Sequence, residues 1–336
     1  MTDPSANFDP ATTLARPDLA ALVLEGRVRA EAYRATEPLR CVQPVADIHA
    51  DASPESERID QLLFGEMFDV LERRGGRVWG QARRDGTVGW MDGAVLAAGT
   101  GLPTHRMAAI DGHLPLNALL RAGDGASASA VEIGDFDREP IEVAERLLGV
   151  PHALGGRSSR GTDCSGLVQQ ALLACGLAGP RRSREQSELG TAVSRDDVRR
   201  GDIVVWMNIR AGQSWTGHSA FMVDGSNVLH ATGHHGVVVV EALAEADVRY
   251  LAAGFDAAVF RRLNPRTQTG GPKAACPKDA IQIEPQVAGA ASGAAAAASA
   301  AGTAAGSATA APSAGAAASA AGAAPGWRAG SGAGMA

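Results

Sequence analysis

The spacing of hydrophobic and polar positions divides the 336-residue chain into stretches of different texture. Residues 1–36 read as a polar leader with one short helix around Leu19 to Leu24. From 37 to 99, short β-prone runs alternate with turn dipeptides: "EMFDVLE", Gly75-Gly76, "RVWGQAR", Asp85-Gly86, "TVGWM". Such punctuation predicts successive hairpins, hence a small barrel. Residues 100–139 are rich in Gly and Ala with weak periodicity and fit a linker or a reduced second barrel. Pro140 then opens "PIEVAERLLG", in which Ile141, Ala144 and Leu148 share one face up to a stop at Gly149. In "CSGLVQQALLACG", Leu167, Val168, Ala171 and Leu172 line one face and predict a buried helix that starts at Cys164. Two β-like runs follow, "GHSAFMVDG" and "NVLHATG", joined through Asp224 to Asn227, so residues 140–263 form one α+β region. Beyond about Asn264 the chain becomes Ala/Gly/Ser repetition, with almost no large apolar side chain to offset ordering entropy, and 264–336 is expected to be a disordered tail.

Charge narrows the function. The net charge is −6 and the pI about 5.8, with lysines only at Lys273 and Lys278 and the arginines scattered. No basic stripe is available to neutralise a phosphate backbone, so no nucleic-acid partner is expected. The opening "MTDPSANFDPATTLARPDLAALVLEG" has no basic segment followed by an apolar one, and no run of about eighteen large apolar residues occurs. A cytoplasmic protein without a membrane contact is the expectation. Cys41, Cys164, Cys175 and Cys276 are irregularly spaced and form neither a disulfide framework nor a metal pair. On one helix Cys164 and Cys175 would lie roughly 16 Å apart, too far to bridge.

Asp163 falls at the N-cap of the predicted helix and Cys164 in its first turn, where unpaired N–H groups and the positive dipole end favour a thiolate. A single cysteine is otherwise often a small buried residue. The hairpin downstream tips the balance. His218 and His230 are equidistant from Asp224, so an antiparallel pair turning there faces them on the same side of the sheet. That is the logic of an activated nucleophile, with His218 as base and His230 holding its ring in the productive tautomer. His234 and His235 read as loop residues, and without a Cys pair or an H-E-x-x-H helix no metal site is expected.

The stretches "GVPHALGGRSSRGTDCSGLVQQALLACGLAGPRRSREQ", "RRGDIVVWM", "GHSAFMVDG" and "VLHATGHHGVVVVEAL" resemble, in order and spacing, the NlpC/P60 family of papain-like cysteine peptidases over roughly residues 140–263. The region 37–99 resembles a bacterial SH3 domain, and the pairing is similar to the γ-D-glutamyl-L-diamino-acid endopeptidases of peptidoglycan recycling. The resemblance implies an α+β papain-like domain, a helix packed on an antiparallel sheet, behind an SH3-like barrel. It implies Cys164 as nucleophile, His218 as base, His230 as third polar residue, and no metal or organic cofactor. It further implies that Asp163, Ser165 and Ser183 hold a cell-wall peptide, and that Glu66 of the barrel reads the free amine of its N-terminal L-Ala. Where the family has a tyrosine that helps bind the oxyanion, this chain has His152, and Thr87 replaces an aromatic residue common in the barrel. Hydrolysis of the γ-D-glutamyl–diamino acid amide is the expected activity. A catalytically weak module that binds muropeptides or a partner is the alternative, and acyl transfer through the same thioester stays open.

Overall fold

The computed structural model describes residues 8–99, 101–125, 127–208 and 216–263. The expected tail and Cys276 lie outside the described residues.

The helix expected around Leu19 to Leu24 is instead a strand, β1 (Leu19–Ala21), followed by a single 3-10 turn at Leu22–Leu24. β1 runs parallel to β2 (Ala32–Arg34). All three β1 residues are buried: Leu19 and Ala21 pack toward Trp79 and Trp90 of the barrel, and Ala20 packs toward Val28. A segment covered on both faces reads as a continuous apolar run, which periodicity alone does not separate from a helix.

The barrel is one all-antiparallel sheet of β3 (Glu37–Cys41), β4 (Val45–His49), β5 (Arg58–Leu63), β6 (Met67–Arg74), β7 (Arg77–Ala82), β8 (Val88–Asp92) and β9 (Leu96–Ala97), in the order β5-β4-β8-β7-β6-β3-β9. Gly75 and Gly76, at φ 55° and 82°, make the two-residue turn from β6 to β7, as the G-G signal predicts. Ile48, Leu62, Phe68 and Met91 fill the interior. Residues 100–139 contain a small antiparallel sheet of β10 (His105–Met107), β11 (Leu119–Leu120) and β12 (Ala130–Glu132). Its Met107, Ala118 and Leu120 pack against Phe64 of the barrel. The approach is close: Gly65 lies at φ 80°, and a Cβ there would fall 1.9 Å from the Leu119 carbonyl oxygen.

The last region begins with α1 (Pro140–Glu145), shorter than the periodicity suggests. Leu147 is buried in place of Leu148, which is 49% exposed, because the chain turns early so that the Gly149 N–H reaches the Val238 carbonyl. A two-stranded ladder, β13 (Arg157–Ser158) and β14 (Gly161–Thr162), leads into α2 (Cys164–Ala174), buried from Ser165 onward, and then α3 (Ser183–Gln186). The sheet comprises β15 (Thr191–Val193), β16 (Ile203–Met207), β17 (Gly217–Met222), β18 (Asn227–Thr232) and β19 (Val237–Ala242). After α4 (Leu243–Ala252), β20 (Val259–Arg262) completes the order β15-β20-β16-β17-β18-β19, antiparallel throughout. Strand alternation splits the core between its faces. Ile203, Val205, Phe221 and Leu229 meet α1 and α2, while Val204, Trp206, Ala220 and Val228 meet α4. No helix of the described residues is long and apolar enough to cross a membrane.

The β17–β18 register differs from a turn centred on Asp224. Phe221 pairs with Leu229 and Met222 with Val228, which sets His218 and His230 diagonally rather than directly opposite. The offset is two residues, so both rings stay on one side.

Candidate active site

Asp163 caps α2 in extended conformation, and its Oδ1 accepts from the Gly166 N–H at 2.7 Å. Cys164 therefore opens the helix, half-buried. The neighbouring sheet opens beside it. The β16–β17 ladder runs on to Met207 and Gly217, whereas the β17–β18 ladder ends at Phe221 and Leu229. Past that point the Ser219 N–H, which an unbroken ladder would give to β18, is directed at Cys164, as is the Ser183 hydroxyl.

The thiol does not follow the expectation of a resting thiolate. Burial pushes it up to about 11 and the Asp163 carboxylate adds to the rise, against the Ser219 N–H and the Ser183 hydroxyl. A helix dipole contributes only about 0.3–1 kcal/mol, less than the cost of burying an anion.

Across the gap, His218 Nε2 lies 2.8 Å from His230 Nδ1, with the rings at 86° to one another. His230 Nε2 in turn lies 2.7 Å from Glu241 Oε1. Glu241 also accepts from both terminal nitrogens of Arg249, and its Oε2 lies 3.2 Å from His235 Nε2. Tyr250 of α4 stacks on His218 with ring centroids 4.4 Å apart. Burial pushes His218 well below the usual histidine range, the His230 and His152 rings push it further, and Glu241 pulls the other way. His230 is likewise lowered by burial, against its bond to Glu241. Partial burial disfavours the Glu241 carboxylate, but bonds from His230 and Arg249 outweigh that and hold it ionised.

Sequence reasoning missed Glu241, Arg249 and Tyr250. A signal for Glu241 was present: it is the one acid in "VVVVEAL", and since Val239 pairs with His230, residue 241 falls on the same face.

The expected binding residues part company. Ser183 reaches the sulfur, and His152 is half-buried, its ring held neutral by burial against a pull from Asp163. Asp163 and Ser165, expected to face a peptide, are instead buried and saturated. The Asp163 carboxylate also accepts from Gly155 N–H, Ser165 Oγ and both terminal nitrogens of Arg181, and Arg181 donates to Ser165 Oγ as well. Glu66, expected to read an amine, is 1% exposed and engaged by Arg157 and the Leu63 N–H. These belong to a buried charge layer under the head of α2. Arg181 Nε lies 2.7 Å and Arg157 Nε 3.2 Å from Asp60 Oδ1 of the barrel. Burial and the neighbouring Asp85 push Asp60 up to about 7; Asp85, despite its own burial, is drawn down by Arg157. An ionised acid at Glu66 would otherwise be stranded without water, and Arg157 is the compensation. Among the described residues no group of His, Cys, Asp and Glu could hold a metal ion.

This order of elements and side chains matches the model of the NlpC/P60 family over residues 149–252 and that of the bacterial dipeptidyl-peptidase Sh3 domain over residues 48–96. The chain carries a domain of the NlpC/P60 family preceded by a bacterial SH3 domain. Murein DD-endopeptidase MepS/murein LD-carboxypeptidase of Escherichia coli is 38% identical over 107 residues, which are 30% of this chain and 55% of that protein. γ-D-glutamyl-L-lysine dipeptidyl-peptidase of Bacillus subtilis is 32% identical over 91 residues, 27% of this chain and 30% of that one. The chain thus spans about half the length of the first and under a third of the second. A solved NlpC/P60 family protein of Bacillus cereus shares the fold over 68% of this chain and 100% of its own, with TM-score 0.56 and 17% identity.

Proposed function

We propose that this protein is a cysteine peptidase that hydrolyses the amide between γ-D-glutamate and a diamino acid in short cell-wall peptides, and that it does so in the cytoplasm. One observation carries the reading: beyond the end of the β17–β18 ladder, the N–H of Ser219, the residue that follows His218, is directed at Cys164, and His218 Nε2 is tied to His230. Burial keeps both thiol and imidazole neutral at rest. The Sγ proton passes to His218 as sulfur attacks the carbonyl carbon; the C–N bond breaks, and the leaving amine takes that proton from His218. Water, deprotonated by the same ring, then cleaves the thioester and restores the thiol. Ser183 and His152 are the residues left to contact the peptide, because Asp163, Ser165 and Glu66 are engaged elsewhere. The choice of bond rests on the likeness to a γ-D-glutamyl-L-lysine dipeptidyl-peptidase and on the barrel of dipeptidyl-peptidase type.

Purified protein given L-Ala-γ-D-Glu-diaminopimelate is expected to release L-Ala-D-Glu, and Cys164→Ala is expected to release none. Equal release by both rejects the assignment, and cleavage confined to D-Ala–diaminopimelate cross-links moves the bond. Fractionation of the native cells tests the location. The high thiol and the occupied Glu66 favour a second reading, a muropeptide-binding module with little turnover. Peptide binding without product, and a Cys164 alkylated by iodoacetamide no faster at pH 6 than a free thiol, would select it.

A further inference from the structure

The chain of contacts behind His218 determines which ring nitrogens carry protons. An ionised carboxylate only accepts, and Glu241 is held ionised by Arg249 and His230. A lone pair on His230 Nε2 would face that carboxylate oxygen at 2.7 Å, so Nε2 carries the ring hydrogen. A neutral imidazole has one N–H, so His230 Nδ1 is an acceptor, and the hydrogen in the 2.8 Å bond belongs to His218 Nε2. His218 Nδ1 is left as a bare lone pair. The opposite pattern would place His230 Nε2 and Glu241, two acceptors, against each other.

We propose that Glu241, clamped by Arg249, is a positioning residue: its carboxylate against His230 Nε2 selects the His218 tautomer whose Nδ1 is free to take the Cys164 proton, and it offsets the positive charge that His218 then gains. The charged and titratable neighbours of the ring pair come from every side: Arg249 and Tyr250 from α4, His235 from the turn before β19, His152 ahead of α2, and Asp163 and Cys164 at its head. Arg249 and a protonated His235 or His152 oppose an imidazolium. Glu241 is the acid in contact with the ring pair, and without it Arg249 would face His230 unopposed.

The proposal rests on the peptidase reading only for its consequence in turnover, since the proton pattern belongs to the free protein. Nitrogen NMR of histidine-labelled wild-type protein is expected to show neutral His218 protonated at Nε2. In Glu241→Gln the amide can donate to His230 and reverse both rings, so that pattern is expected to be lost, iodoacetamide alkylation of Cys164 near neutral pH to slow about tenfold, and its pH midpoint to move upward. Release of L-Ala-D-Glu should fall by about 10- to 100-fold in kcat with KM within about twofold, one bond further from the reacting atoms than in a direct acid–imidazole pair. Glu241→Asp should recover part of the rate. A wild-type His218 protonated at Nδ1 overturns the proposal, and so does a Glu241→Gln alkylation profile that superimposes on the wild type. Should that variant not fold, the wild-type nitrogen assignment decides alone. Wild-type protein with the expected nitrogen pattern but no hydrolysis would remove the peptidase reading and leave this one standing.

Discussion

The two walls of the gap around Cys164 are built in opposite ways. On the α2 side, Asp163 has its carboxylate filled by two backbone N–H groups, a serine hydroxyl and an arginine fork, and the layer beneath it pairs Arg157 and Arg181 with Asp60 and Glu66. On the β17–β18 side, contacts run in single file from His218 to His230 to Glu241, with His218 at the head. In the first wall both Asp163 oxygens are engaged, which fixes the head of α2 where the sulfur stands. The second is a line of polar atoms in which a proton shift at one end is felt at the other. Saturated buried charge makes a rigid seat, and an unsaturated polar chain makes a reactive one.

The contrast can be broken most severely at Arg181. Arg181→Met removes the cation shared by Asp163 and Asp60, leaving Asp163 without a cation and Asp60 with Arg157 alone, so urea denaturation should show a loss of about 3–5 kcal/mol. An unfolding midpoint equal to that of the wild type would mean that the layer does not carry the seat.

A smaller effect should follow pH. Asp60 has a folded value of about 7, above the ordinary aspartate value near 4, so the folded state keeps a proton that the unfolded chain has released. The stability this confers is complete below about pH 4 and is lost as pH rises toward 7. Asp60→Asn should therefore gain on the wild type over that window, by about 1–2 kcal/mol, the opposing shift of Asp85 limiting the gain. Parallel stability curves for the two proteins would refute it.

The smallest effect is expected far from either wall. Arg73 and Glu37 pair across the barrel surface with about half of each side chain exposed. Water screens such a pair, so Glu37→Gln should change stability by less than about 0.5 kcal/mol. A loss comparable to that of Arg181→Met would show that burial is not what separates the two classes of pair.

Local pattern was legible where one physical rule governed a stretch. The G-G turn, the Asp163 cap and the apolar run after Cys164 each carried their signal within a few residues. Parity along two strands was enough to put His218 and His230 on one face even though the register was misjudged, because a two-residue slip restores the side. Reading failed where the answer lay in a partner distant in sequence. Leu19–Ala21 became a strand because residues 32–34 and the barrel tryptophans cover it. Glu66 is expected to meet a substrate amine because its partner, Arg157, lies 91 residues away in sequence. The helix dipole that favours a thiolate is visible in sequence, and the burial that opposes it is not.

The sequence by itself determined the inventory: a cysteine at a helix start, two histidines on one β-ribbon, a barrel ahead of an α+β domain. Those follow from backbone propensities and side-chain alternation, which act over a few residues. Tertiary structure alone decided that the sheet opens beside Ser219, that Asp163 and Glu66 are engaged by arginines, and that Glu241 closes the line behind His218. Desolvation and ion pairing depend on which distant groups share a volume from which water is excluded, and only the folded chain defines that volume.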